Sequence, residues 1–140
     1  MKLFGNIDPS NYLANYVSIG SQTYAGTPFT GNQLTFASTL SDTDAKGTRL
    51  ASGHTVFNQN SAFFTGAVGV QLFPGTVLNE TSSMYGLSLD QIRQLAVLHE
   101  LFHVNDVSGA YDDNTGNTQT DLAHTKAINK LIREKCGFPR

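Results

Sequence analysis

The chain contains a single cysteine, Cys136, so no disulfide can form within it. Its fold must rest on a packed core, and 140 residues suffice for one, which sets the expectation of a single domain over residues 1–140. Charge is also scarce: 14% of residues are charged, the net charge is −2, and there is no basic run. Those absences argue against a nucleic-acid partner. No apolar stretch approaches the roughly 20 residues that cross a bilayer, so no membrane partner is expected. Met1–Asp8 breaks into polar turn formers too early for a signal peptide, although the plentiful Ser, Thr, Asn, Gln and Gly with few Lys or Glu give the composition an extracellular cast. There is no tryptophan, internal repeat or convincing linker, and a monomer is expected. Cys136 reads as a buried small residue of the last helix, with a bridge to a segment outside this sequence as the alternative. Asn79-Glu80-Thr81 matches a glycosylation acceptor, a triplet common by chance.

Against this quiet background stands Leu95-Ala96-Val97-Leu98-His99-Glu100-Leu101-Phe102-His103, a His-Glu-x-x-His motif inside an apolar, helix-forming run. On a helix, residues four apart differ by roughly 40° of rotation and one turn of rise, so two imidazoles can converge on one ion. Glu100 lies roughly 100° further round, where its carboxylate can reach a metal-bound water. This is the zinc-peptidase arrangement. Ser88 and Gln91 form a capping box ahead of it, and Leu89, Ile92, Leu95, Ala96, Leu98, Leu101 and Phe102 leave few polar faces. A helix buried to that degree makes two histidines and a glutamate costly unless something satisfies them, and a metal ion satisfies all three.

Catalytic zinc takes three protein ligands and a water, so a third ligand must come from elsewhere. The metzincin spacing is excluded, because Asp106 and Gly109 stand where that pattern requires Gly and then His or Asp. A glutamate on a following helix is unavailable, since the only later one is Glu134. Downstream, Gly109, Asp112, Asp113, Asn114 and Gly116 are turn formers, so the helix should end near Asn105 to Gly109 and the chain reverse, returning a carboxylate to the ion. Asp113 can accept the outer N–H of a ligating histidine or serve as a plain turn residue. Thr120–Lys135 reads as a second helix, capped by Thr120 or Asp121, with Leu122, Ala127, Ile128, Leu131 and Ile132 as its stripe. His124, in its first turn, is a rival third ligand or a transition-state donor.

Gly109-Ala110-Tyr111-Asp112-Asp113-Asn114-Thr115-Gly116 resembles the Gly-Thr-x-Asp-x-x-Tyr-Gly signature of the aspzincins, the deuterolysin-like zinc endopeptidases. The resemblance covers about the last 50 residues and aligns Asp112, nine residues beyond His103, with the family's third zinc ligand. It departs at Ala110, where the family has Thr, and at Thr115, where it has Tyr. That tyrosine helps stabilise the oxyanion in the family, so the donor would here have to be Tyr111, Tyr85 or His124. The resemblance implies a zinc metalloendopeptidase acting on a peptide or protein, with zinc on His99, His103 and Asp112 and Glu100 as general base. A zinc-binding module without turnover and a purely structural zinc site are the alternatives.

In the first half, Asp8–Val17 is a short helix, with Pro9 near its start and Tyr12, Leu13, Tyr16 and Val17 on one face. Gly20–Ser52 reads as loop with one or two short strands. His54–Asn58 and Gly66–Phe73 read as strands, the second closed by a turn at Pro74-Gly75 and a candidate edge for an extended peptide. His54 reads as a polar residue at a strand end. The expected fold is α+β: a compact zincin-like domain with a small, mostly antiparallel sheet beside the His-Glu-x-x-His helix and a C-terminal helix.

Overall fold

Asp8 opens the first helix, α1 (Pro9–Asn15), its carboxylate accepting from the Ser10 and Asn11 amides ahead of Pro9. In this computed structural model, residues 8–29, 36–65, 87–106, 108–113 and 115–139 are described. The helix stops two residues short of the expected Val17, because Val17 and Ile19 belong to a strand, β1 (Val17–Gly20). β2 (Ala37–Thr43) and β3 (Arg49–Asn58) follow, joined by a turn in which Asp44 accepts from the Lys46 and Thr48 amides and Gly47 has φ +81°. β3 is central, antiparallel to β2 and parallel to β1, so the sheet is mixed rather than mostly antiparallel. Gly53 lets the strands approach closely: a Cβ there would lie 2.5 Å from the Leu40 carbonyl oxygen. The expected strand at His54–Asn58 thus proves to be the second half of β3. The short helix α2 (Ala62–Thr65) comes next.

α3 (Leu89–Asn105) has the anticipated capping box, Ser88 and Gln91 each bonding the other's backbone N–H. It packs against β2, β3 and α4 (Thr118–Lys135). One face joins Leu101 and Val104 to Tyr12 and Val17; the other joins Ile92, Leu95 and Phe102 to Leu87 and to Ile128 and Ile132 of α4. Leu95, Ile128 and Ile132 are fully buried, each stabilising the fold by about 1.5–3 kcal/mol. Leu95→Ala would cost about 2–5 kcal/mol at this junction.

α4 begins earlier than Thr120. Asn117 is its cap, accepting from the Thr120 amide, while Asp121 is engaged by Thr115. Leu122, expected in the apolar stripe, is exposed, and Cys136, expected to be buried, is exposed at the end of α4. The expected strand Gly66–Phe73, the Pro74-Gly75 turn, the Asn79–Thr81 triplet and Tyr85 lie outside the described residues. The architecture is a small α+β domain, with α3 between the sheet and α4.

Candidate metal centre

His99 and His103 are one turn apart on α3, and the turn after that helix brings Asp113 to both. His99 Nε2 lies 2.9 Å from Asp113 Oδ2, His103 Nε2 lies 3.1 Å from Asp113 Oδ1, and the two Nε2 atoms are 3.1 Å apart. Zinc–ligand bonds of 2.0–2.1 Å put neighbouring tetrahedral donors roughly 3.3 Å apart, so the three groups are spaced as ligands of one ion.

Tautomer chemistry leads to the same place. On its far side His99 Nδ1 meets Asn129 Oδ1 at 2.8 Å, and since that oxygen only accepts, Nδ1 carries the proton. In the neutral ring Nε2 is then a lone pair, facing a carboxylate oxygen and a second imidazole nitrogen. That nitrogen and the carboxylate repel unless a proton on His103 Nε2 or a metal cation lies between them. A pair of nitrogens with one oxygen is a donor set for a divalent transition metal.

Electrostatics follow from the cluster. Burial pushes the Asp113 carboxyl up, but its hydrogen bonds to His103 and His99 and their charges outweigh this and hold it far below the usual carboxylate range. Burial works against charge on His103, yet the hydrogen bond to Asp113 and the charges of Glu100, Asp113 and Asp112 raise its pKa above the ordinary histidine value. Thr125 of α4 donates to Asp113 Oδ2 at 3.0 Å, fixing the carboxylate from behind.

Asp112, expected as the third ligand, is not part of this group. Its carboxylate pairs with Arg49 Nη2 at 3.2 Å, and its carbonyl accepts from His124 Nδ1 at 2.5 Å. Arg49, on β3, reaches it past Gly109, whose φ of +70° and missing side chain make room: a Cβ there would lie 3.2 Å from Arg49 Nη1. Adjacent aspartates are thus claimed from different directions. His124 is spoken for at the loop rather than within the cluster. Tyr111 packs edge-on against Phe102 and donates its amide to Asp106. Thr115 is exposed and bonded to Asp121. His54 neighbours Thr55 along β3 and so faces the other side of the sheet, stacked on Tyr24 at 3.9 Å between ring centres.

Glu100 lies beside the cluster but outside it. Its Oε2 accepts from Thr39 Oγ1 of β2 at 2.6 Å. Thr39 Oγ1 is 2.7 Å from Thr55 Oγ1, its cross-strand partner, and Thr55 is 2.6 Å from the Tyr12 hydroxyl. Burial is the main reason the Tyr12 phenol is pushed up to about 12. Sequence reasoning missed Asn129, Thr125, Arg49, Thr39, Thr55 and Tyr12. Asn129 alone left a local trace, a poor helix former inside the stripe of Ile128, Leu131 and Ile132. The chain matches no family model, no curated protein and no solved structure.

Proposed function

We propose that the chain is a zinc-dependent metallopeptidase of aspzincin-like type in which His99, His103 and Asp113 hold the metal. The observation that carries this reading is the convergence of two imidazole nitrogens and a carboxylate, with Glu100 next to a ligand yet outside the group. A structural zinc site has no use for such a carboxylate. Two histidines and a carboxylate also serve iron oxygenases, but a general base at that position is what a hydrolase requires.

Zinc, when bound, lowers the pKa of water and polarises a carbonyl. Glu100 accepts a proton from the water whose oxygen attacks the scissile carbonyl carbon, then delivers it to the departing amine nitrogen as the C–N bond breaks. Asn129 keeps the His99 proton on Nδ1, leaving Nε2 as a donor atom, and Thr125 restrains Asp113. His124, bonded to the Asp112 carbonyl, and Tyr111, packed between Phe102 and the His124 ring, are the described candidates for oxyanion donor. β2, one of the two strands that among the described residues pair only with β3, offers an edge for an extended peptide; the other candidate, Gly66–Phe73, lies outside the described residues.

The test is metal content and casein hydrolysis of the purified chain beside its Glu100→Gln form. About one zinc per chain is expected in both, with hydrolysis lower in the variant by roughly 10²–10⁴-fold. Absence of zinc after supplementation at neutral pH refutes the reading. Thr115, where the aspzincins carry tyrosine, favours a second one, a zinc-binding module without turnover. A folded, zinc-loaded wild type inert towards a broad peptide library would select it.

A further inference from the structure

Three residues from three separate elements line up behind Glu100 of a fourth. Tyr12 of α1, Thr55 of β3 and Thr39 of β2 carry three hydroxyls linked at 2.6 and 2.7 Å, and the last is 2.6 Å from Glu100 Oε2 of α3. The direction of every bond follows from its terminus. A carboxylate only accepts, so Thr39 must donate to Glu100; having spent its one proton, Thr39 must accept from Thr55, and Thr55 from Tyr12. The 2.6 Å Thr39–Glu100 contact is in the range of an O–H···O⁻ bond to an ionised acid. Burial is deep at the far end, with Thr55 1% and Tyr12 4% exposed, so neither hydroxyl has ready recourse to water.

A cross-strand Thr–Thr pair is common on sheets, and its plain role is to satisfy its own hydroxyls. The pair here does more, because a lone Thr–Thr bond leaves one proton undirected. The carboxylate at one end and the phenol at the other leave each hydroxyl a single arrangement, and successive bonds polarise one another. We propose that Thr39, Thr55 and Tyr12 are positioning residues for the general base, a one-way hydroxyl chain that anchors Oε2 of Glu100 to the sheet and leaves Oε1 to take the proton of the attacking water. The chain spans helix to helix through the sheet, so the base is held independently of the groups that hold the metal. This rests on the peptidase reading and adds which residues orient its base.

The experiment uses the full zinc-loaded chain and a quenched fluorescent peptide, comparing Thr39→Val, Thr39→Ser and Tyr12→Phe with wild type. Thr39→Val should keep one zinc and lower kcat by about 10–100-fold with KM unchanged. Thr39→Ser, which restores the hydroxyl, should return kcat to within a few-fold of wild type. Tyr12→Phe, at the far end, should lower kcat by a few-fold, and it decides the question if Thr39→Val does not fold. An active wild type with Thr39→Val at full kcat, a loss that serine does not restore, or a loss confined to KM overturns the positioning role and leaves the peptidase reading standing. An inert wild type overturns both, so the two failures are told apart by wild-type activity alone.

Discussion

The two sides of α3 meeting at the His99–Glu100 step are built from different chemistry. On the α4 side, an amide oxygen from Asn129 and a hydroxyl from Thr125 hold His99 and Asp113. On the sheet side, only hydroxyls are used, and they hold Glu100. Neighbouring residues of one helix are therefore braced by structures that share no side chain. On the proposed reading, metal holding and proton transfer fall to opposite supports, so a substitution on one side should leave the other's property intact.

The largest effect that would sharpen this contrast is at the loop. Asp113→Ala should abolish zinc binding at micromolar metal, whereas Asp112→Ala should keep the metal while losing the Arg49 pair, as read by metal content after dialysis. Equal losses from both would mean that the loop, not one carboxylate, makes the site. On the sheet side, Tyr12 gives a window of its own. Its folded pKa of about 12 lies above the ordinary 10, so its contribution is complete below pH 10 and falls away as pH rises towards 12. The loss is about 3 kcal/mol, seen as a drop in the denaturation midpoint that should be missing in Tyr12→Phe.

Asn129→Ala should weaken zinc affinity by about 10–100-fold while kcat at saturating zinc stays near wild type, in a chelator competition paired with rate measurements. A matching fall in kcat would break the separation of the two supports. The smallest effect is expected from metal-free protein. The His103 pKa is raised, so its contribution is complete below the unfolded value near 6.5 and is lost as pH rises through the folded value. Metal-free protein should therefore lose stability as pH rises above about 6.5. Zinc should reverse that slope, since ligation requires unprotonated rings.

What was legible in the sequence is what repeats or caps locally. α3 announces itself by its helical period and its Ser88–Gln91 box, and α+β by strand-like runs ahead of two helices. Which side of a turn faces the two histidines is not encoded locally. Two consecutive aspartates look alike, and the one turned away is selected by Arg49, 63 residues earlier. The hydroxyl chain was invisible for the same reason: Thr39 and Thr55 acquire meaning only through strand register, and Tyr12 only through the seat of α1 on β3. Val17 shows a local signal overridden, its helical spacing losing to pairing with Thr55.

The Arg49–Asp112 pair also sets a charge balance. Two neutral imidazoles and one carboxylate around a divalent ion leave a net charge of +1. A second carboxylate would cancel it, and with it much of the pull on a water's proton and a carbonyl oxygen. With Asp112 paired to a guanidinium of the sheet, a divalent ion held by His99, His103 and Asp113 would keep that charge. Arg49→Met removes the cation beside Asp112, and on the proposed reading the expected result is a centre that binds zinc more tightly and hydrolyses more slowly.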